Sequence, residues 1–176
     1  MIVKNIIQIG NPLLSQKSKL VKKIGAKETQ KVIANLIDSV RFHNLIGMSA
    51  SQIGEKLAIF VTEIRPTKYR KLKKDILRVY INSKITWASK KQKTIYEGCG
   101  SVANANFFAP VKRSEKIIIE ALDEKGEKFK LEAEGMLARV IQHEYDHLQG
   151  IEFIEKITDI KKAMSADEYK RKMGLK

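Results

Sequence analysis

Disulfides are excluded by arithmetic: the chain of 176 residues has one cysteine, Cys99. That fits a reducing compartment and rules out the small secreted scaffolds held together by cystine bridges. Histidine is nearly as scarce, at three residues, and so is proline, also at three. No apolar run approaches the roughly 20 residues that a bilayer-spanning helix needs, so no membrane association is expected. The opening MIVKNIIQIGNP lacks the apolar core of a secretory signal, and Asn11-Pro12 reads as a turn. A cytoplasmic location is the expectation, with an organellar matrix as the lesser alternative. Acidic residues are also in deficit. Against 34 Lys and Arg there are only 20 Asp and Glu, leaving a formal net charge of +14. Such a balance favours polyanions such as ribosomal RNA. The lysines are diffuse, however, gathering at 17–27, at 68–91 and near the C-terminus. No aromatic-interleaved nucleic-acid motif accompanies them. Charge alone names no partner, and DNA is not expected.

What is present fits a globular protein: hydrophobic residues are 43% and charged residues 31% of the chain. Residues 1–176 are expected to form one domain. Val32, Ile33, Leu36, Ile37 and Val40 recur at helical spacing and predict a helix over residues 28–44. Residues 57–61, 77–81 and 85–88 read as short strands. The basic run RPTKYRKLKKD reads as a surface loop, and residues 103–110 as a further loop. Residues 117–121 and 129–133 predict a hairpin around Asp123 and Gly126. Gly135 opens a second helix that Gly150 closes. A strand-like IEFI and a final charged helix over residues 166–173 follow. The order predicts an α+β fold, with small mixed or antiparallel sheets around the second helix and a C-terminal helix.

That second helix contains the stretch QHEYDHLQG. His143 and His147 stand one turn apart on one side, with Met136 and Val140. Leu137, Ile141, Glu144 and Leu148 form the adjacent stripe, so both sides are expected to be buried. His143-Glu144-Tyr145-Asp146-His147 matches H-E-x-x-H. Two imidazoles at this spacing bind one metal ion, and the glutamate between them reaches an attacking water as general base. The pattern is short, and a charged helix with incidental histidines is the competing reading. A catalytic site of this kind needs a third ligand. His43 lies on the early helix and is read as a surface or packing residue. Cys99, between two glycines, offers a soft anionic donor, and a Cys/His/His set admits iron as well as zinc.

Three separated motifs then resemble those of the peptide deformylases. They are IGMSASQ at residues 46–52, Glu97-Gly98-Cys99-Gly100-Ser101, and QHEYDH at residues 142–147. The opening segment at residues 6–12 resembles the family's as well. The resemblance implies hydrolysis of the N-formyl group from N-formylmethionyl nascent chains in a bacterial cytoplasm, by a monomer in transient contact with the ribosome. It implies Cys99, His143 and His147 as ligands of one divalent ion. Fe2+ is the expected ion, and Zn2+, Ni2+ or Co2+ are compatible. It implies Glu144 as the proton shuttle, with Gln52 and the Gly100 backbone N–H as donors to the formyl oxygen. Glu97 resembles the family's carboxylate behind the ligands. Ile46, Met136 and Val140 are candidates to line the methionine pocket.

Several positions depart from the family pattern. Leu45 stands where glycine is usual, which predicts a conflict if that glycine has positive φ. Ser49 replaces alanine, and Gly100 replaces a bulky leucine. Phe108 occupies the place of an arginine. These changes flank the chemistry and predict altered substrate contacts or lower efficiency. Two alternatives stay open: hydrolysis of another N-acyl peptide, or a non-catalytic, metal-containing ribosome-binding protein.

Overall fold

The structure, a computed structural model, describes residues 3–66 and 72–174. Five antiparallel strands form one sheet, in the order β1 (Gly47–Ser49), β2 (Ile59–Thr62), β3 (Arg78–Ala88), β6 (Lys116–Leu122) and β7 (Lys128–Glu134). A second antiparallel sheet has the order β4 (Gln92–Gly98), β5 (Phe107–Ser114) and β8 (Met164–Ser165). The helices are α1 (Lys27–Phe42), α2 (Gly135–Leu148) and α3 (Ala166–Lys172). The α+β expectation holds, with α2 lying on the larger sheet and touching β5 of the smaller one.

Strand alternation explains this layering. Ile59 and Val61 on β2, with Val79 and Ile81 on β3, point to the face that α1 covers with Val32, Ile33, Leu36 and Val40. Phe60 and Tyr80 point to the opposite face and pack with Ala138, Ile141 and Leu148 of α2. The two faces follow from the period of two along a strand. Phe60 and Tyr80 are register partners, and their rings stack at 4.4 Å. Each fully buried aliphatic or aromatic side chain contributes about 1.5–3 kcal/mol. The helix that carries the histidines is therefore fixed by packing on its apolar side.

Elsewhere the expectations need correction. Residues 77–81 and 85–88 belong to one strand, β3, interrupted by register shifts after Ile81 and after Ile85. Asn82 stands at φ 52° within it, and its side chain bonds the backbone N–H and C=O of Val21. That polar kink breaks the apolar pattern on which strand reading depends. β4 was not anticipated because it is a largely exposed, polar edge strand. β5 starts at Phe107, inside the segment read as a loop; Pro110 within it pairs with Tyr96. The IEFI run is not a strand. Phe153–Lys156 forms a turn of 3-10 helix, capped through Glu152 and Glu155. Residues 67–71 of the basic segment lie outside the described residues.

Candidate metal centre

Helical spacing sets His143 and His147 on one side of α2, their ring centroids 5.1 Å apart. Strand β4 ends at Gly98 and delivers Cys99, whose Sγ lies 3.3 Å from His147 Nε2. Cys99, His143 and His147 each offer one atom able to bind a metal ion, these atoms lie within 4.8 Å of one another, and all three residues are buried. A thiolate with two imidazoles suits zinc or iron and not a hard cation such as magnesium. His43 lies apart from this group, with Nε2 3.0 Å from the Lys4 carbonyl.

Behind His143 stands Glu97. Its Oε2 lies 3.0 Å from His143 Nδ1, which leaves His143 Nε2 to face an ion. Arg113 donates to both Glu97 oxygens, at 2.7 and 3.0 Å, and Arg139 Nη1 donates to Oε1. Four donors thus meet the four lone-pair sites of the carboxylate. Burial works to raise the Glu97 pKa, but the hydrogen bonds from His143 and Arg113 prevail and hold it well below the usual carboxylate range. Arg113 also donates to Asp146 at 2.7 Å, and Arg139 to the Val111 carbonyl at 3.0 Å. Neither Arg113 nor Arg139 was singled out by the sequence analysis. The available signal was an arginine four residues before His143 on a helix side expected to be buried.

Glu144 is buried, and its Oε2 has no hydrogen-bond partner among the described residues. Burial pushes its pKa up to about 7, against the pull of His143 and Arg113. A bound dication would draw it down again. Gly47 of β1 lies against this carboxylate. A Cβ there would fall 2.6 Å from Glu144 Oε1 and 2.7 Å from Val140 Cγ1, so only glycine fits. Ile46, before it, is half-buried, as is Met136, while Val140 is buried.

Gln52 sits on the short 3-10 turn Ala50–Ile53. Its Oε1 accepts from the Ser49 N–H at 2.9 Å and from the Ser49 hydroxyl at 3.4 Å. With the oxygen held, Nε2 faces Cys99 Sγ at 3.5 Å and Ser101 Oγ at 3.3 Å. Ser49 therefore adds a bond that alanine would not make. Gly100 follows Cys99, and its carbonyl accepts from Gln8 Nε2 at 3.0 Å. The expected backbone conflict at Leu45 does not arise. The positive φ, 54°, falls on Asn44, a residue type that tolerates it. Phe108 stacks on Tyr169 of α3 at 4.4 Å, so this position ties down the C-terminal helix.

A buried Cys/His/His donor set, with a helical glutamate between the histidines, belongs to a metal-dependent hydrolase. A family model described as polypeptide deformylase matches residues 3–163. A peptide deformylase of Dictyoglomus turgidum is 34% identical over 157 residues, 89% of this chain and 94% of the relative. One from Thermodesulfovibrio yellowstonii is 33% identical over 172 residues, 98% of this chain and 99% of the relative. The solved Thermotoga maritima peptide deformylase superposes with a TM-score of 0.79 at 28% identity, covering 90% of this chain and 100% of that one. A class I type b peptide deformylase of Acinetobacter baumannii, bound to Met-Ala-Ser, superposes with a TM-score of 0.83 at 24% identity, over 89% and 99% of the two chains. The chain belongs to the polypeptide deformylase family, enzymes that remove the N-formyl group from nascent peptides.

Proposed function

We propose that this chain deformylates N-formylmethionyl polypeptides with one Fe2+ ion held by Cys99, His143 and His147. Zn2+, Ni2+ and Co2+ suit the same donors. The observation that carries this reading is the convergence of three buried ligands, Glu144 and the Gln52 amide on one point of α2. When bound, the ion polarises the formyl oxygen and makes water a better nucleophile at neutral pH. Glu144 Oε2 takes the proton from water as its oxygen attacks the formyl carbon. Gln52 Nε2–H and the Gly100 N–H donate to the oxygen that gains charge. The C–N bond then breaks, and Glu144 returns its proton to the amine nitrogen. Formate and a free methionyl amine leave. Glu97, braced by Arg113 and Arg139, keeps the His143 ring in place. Ile46, Met136 and Val140 form the apolar wall for the methionine side chain. The peptide backbone adds as a strand beside residues 46–47. The Met-Ala-Ser bound to the A. baumannii relative supports a peptide of this type.

The second reading is hydrolysis of other N-acyl groups, motivated by the glycine at position 100 in the turn that follows Cys99. A hydrophobic site discriminates against one extra methyl by about 10- to 200-fold. Anaerobic, iron-loaded protein is therefore expected to favour formyl-Met-Ala-Ser over acetyl-Met-Ala-Ser by about that factor in kcat/KM. Equal or faster release of acetate would favour the second reading.

The same proposal has one catalytic unit acting as a monomer in a bacterial cytoplasm and touching the ribosome transiently. In α3, Lys170 pairs with Asp167 and Arg171 with Glu168, so that helix is not the main cationic surface. Lys17, Lys19, Lys22, Lys23 and Lys27 are all exposed, and they offer a denser patch to RNA phosphates. Co-sedimentation with ribosomes is expected at low salt, falling steeply as salt is raised. Binding that ignores salt, or no binding at all, would contradict that surface.

A further inference from the structure

The opening segment at residues 6–12 has no part in the chemistry above, yet it touches both elements that carry the oxyanion donors. The Ile7 N–H donates to the Gln52 carbonyl at 2.9 Å, and the Ile9 N–H donates to the Ser101 carbonyl at 2.8 Å. Residues 7 and 9 thus strap the short turn of Gln52 to the turn that follows Cys99. Between them stands Gln8, half-buried, with both ends of its side-chain amide engaged. Its Nε2 donates to the Ile6 carbonyl at 3.1 Å and to the Gly100 carbonyl at 3.0 Å. Its Oε1 accepts from the Asn104 N–H at 3.0 Å. A primary amide joins donors and an acceptor in one planar group. It therefore grips this turn at two points, Gly100 and Asn104.

Both points need holding. Gly100 lacks a Cβ, so its backbone is freer than that of other residues. A Cβ there would lie 2.9 Å from Leu45 Cδ1 and 3.0 Å from Ile6 Cδ1, so a side chain at this position cannot supply the restraint. Ala103, Asn104 and Ala105 follow with φ of 48°, 51° and 61°, three successive residues in the left-handed region. A Cβ makes that conformation costly, for alanine more than for asparagine. Such a run persists only where its surroundings hold it. Ala105 N–H bonds the Val102 carbonyl at 3.1 Å and Asn106 N–H bonds the Ala103 carbonyl at 2.9 Å, while the Asn104 N–H goes to Gln8. The Val102 N–H in turn bonds the Cys99 carbonyl at 3.0 Å. That carbonyl belongs to the same peptide unit as the Gly100 N–H. Strain released at Asn104 therefore has a short route to the donor.

We propose that Gln8 is a positioning residue: its amide holds the Cys99–Gly100 turn against the strain of residues 103–105 and keeps the Gly100 N–H aimed at the oxygen that gains charge. This rests on the deformylase reading given above, in which that N–H is a donor. Gln8 acts through Gly100 and needs no contact with the reacting atoms. Its loss misplaces a donor instead of removing one.

The test compares native protein, Gln8→Met and Gln8→Glu, each iron-loaded and anaerobic, on formyl-Met-Ala-Ser. Methionine keeps the length of the side chain and removes its hydrogen bonds. Glutamate keeps an acceptor for Asn104 but turns a charge toward two carbonyls. Both variants are expected to lower kcat by about ten- to a hundredfold, with KM and iron content close to native. A donor that acts in the transition state shows in kcat, and ground-state binding shows in KM. A third variant adds Ala103→Gly and Ala105→Gly to Gln8→Met. Glycine takes positive φ without strain, so this variant is expected to regain most of the lost kcat. Native kcat in Gln8→Met, a rise in KM alone, loss of iron, or no rescue by the glycines would each overturn the role given to Gln8. If Gln8→Met fails to fold, a folded and active triple variant supports the proposal and an unfolded one overturns it. No formate from the native protein would instead bring down the deformylase reading, and the Gln8 role with it.

Discussion

Glu144→Gln is expected to lower kcat by about a hundred- to ten-thousandfold, the usual contribution of a positioned general base. Metal content is expected to stay near that of the native protein. The glutamine adds no heavy atom, which matters because Gly47 and Val140 already crowd this site. It leaves the three donor residues untouched. What it removes is the capacity to accept and return a proton at Oε2, the oxygen that no described residue engages. Metal analysis beside formate release separates the two effects. A variant that keeps most of its kcat would show that the proton moves by another route. A variant that loses its metal would show that Glu144 helps hold the ion.

The second large effect is expected from Cys99→Ala. Replacing a group behind the ligands already weakens metal binding by about 10- to 100-fold in comparable sites, and loss of a direct thiolate donor should exceed that. Two imidazoles would remain, with no anionic donor beside them. Competition against a chelator is expected to show affinity weaker by more than about a hundredfold, with turnover lost at the same metal concentration. The fold should survive. Cys99 packs at the edge of a small cluster with Val102, Ala109, Val111 and Phe153, and removing its sulfur is expected to cost only about 1 kcal/mol. Unfolding of Cys99→Ala without metal, where native apoprotein stays folded, would assign the residue a structural role. Unchanged metal affinity would remove it from the ligand set.

The parts of the fold legible in the sequence are those governed by local periodicity. The buried stripe of α1, the β6–β7 hairpin and the bounds of α2 all follow from apolar spacing and turn residues. The ligand trio was legible for a different reason. The H-E-x-x-H spacing placed two of the proposed three on one helical side, and the resemblance to the deformylase motifs supplied Cys99 as the third. Long-range pairing was the part that could not be read. Arg113 and Arg139 converge on Glu97 only once β4, β5 and α2 are assembled. Neither arginine has a local signature of that role. The packing of Leu45 and Ile6 against Gly100 is hidden for the same reason. Strands β4 and β8 escaped because their pairing to β5 relies on backbone hydrogen bonds more than on an apolar pattern.

The central claim is that the Cys99/His143/His147 site hydrolyses the formyl group with Glu144 as its base. Its most direct test is anaerobic titration of metal-stripped protein with Fe2+, measuring formate released from formyl-Met-Ala-Ser. The account predicts that the rate rises with added iron up to about one equivalent per chain and then levels off, while Glu144→Gln binds the same iron and stays near the free-metal blank. No release above that blank in the native protein, or equal release by native and Glu144→Gln, would contradict it.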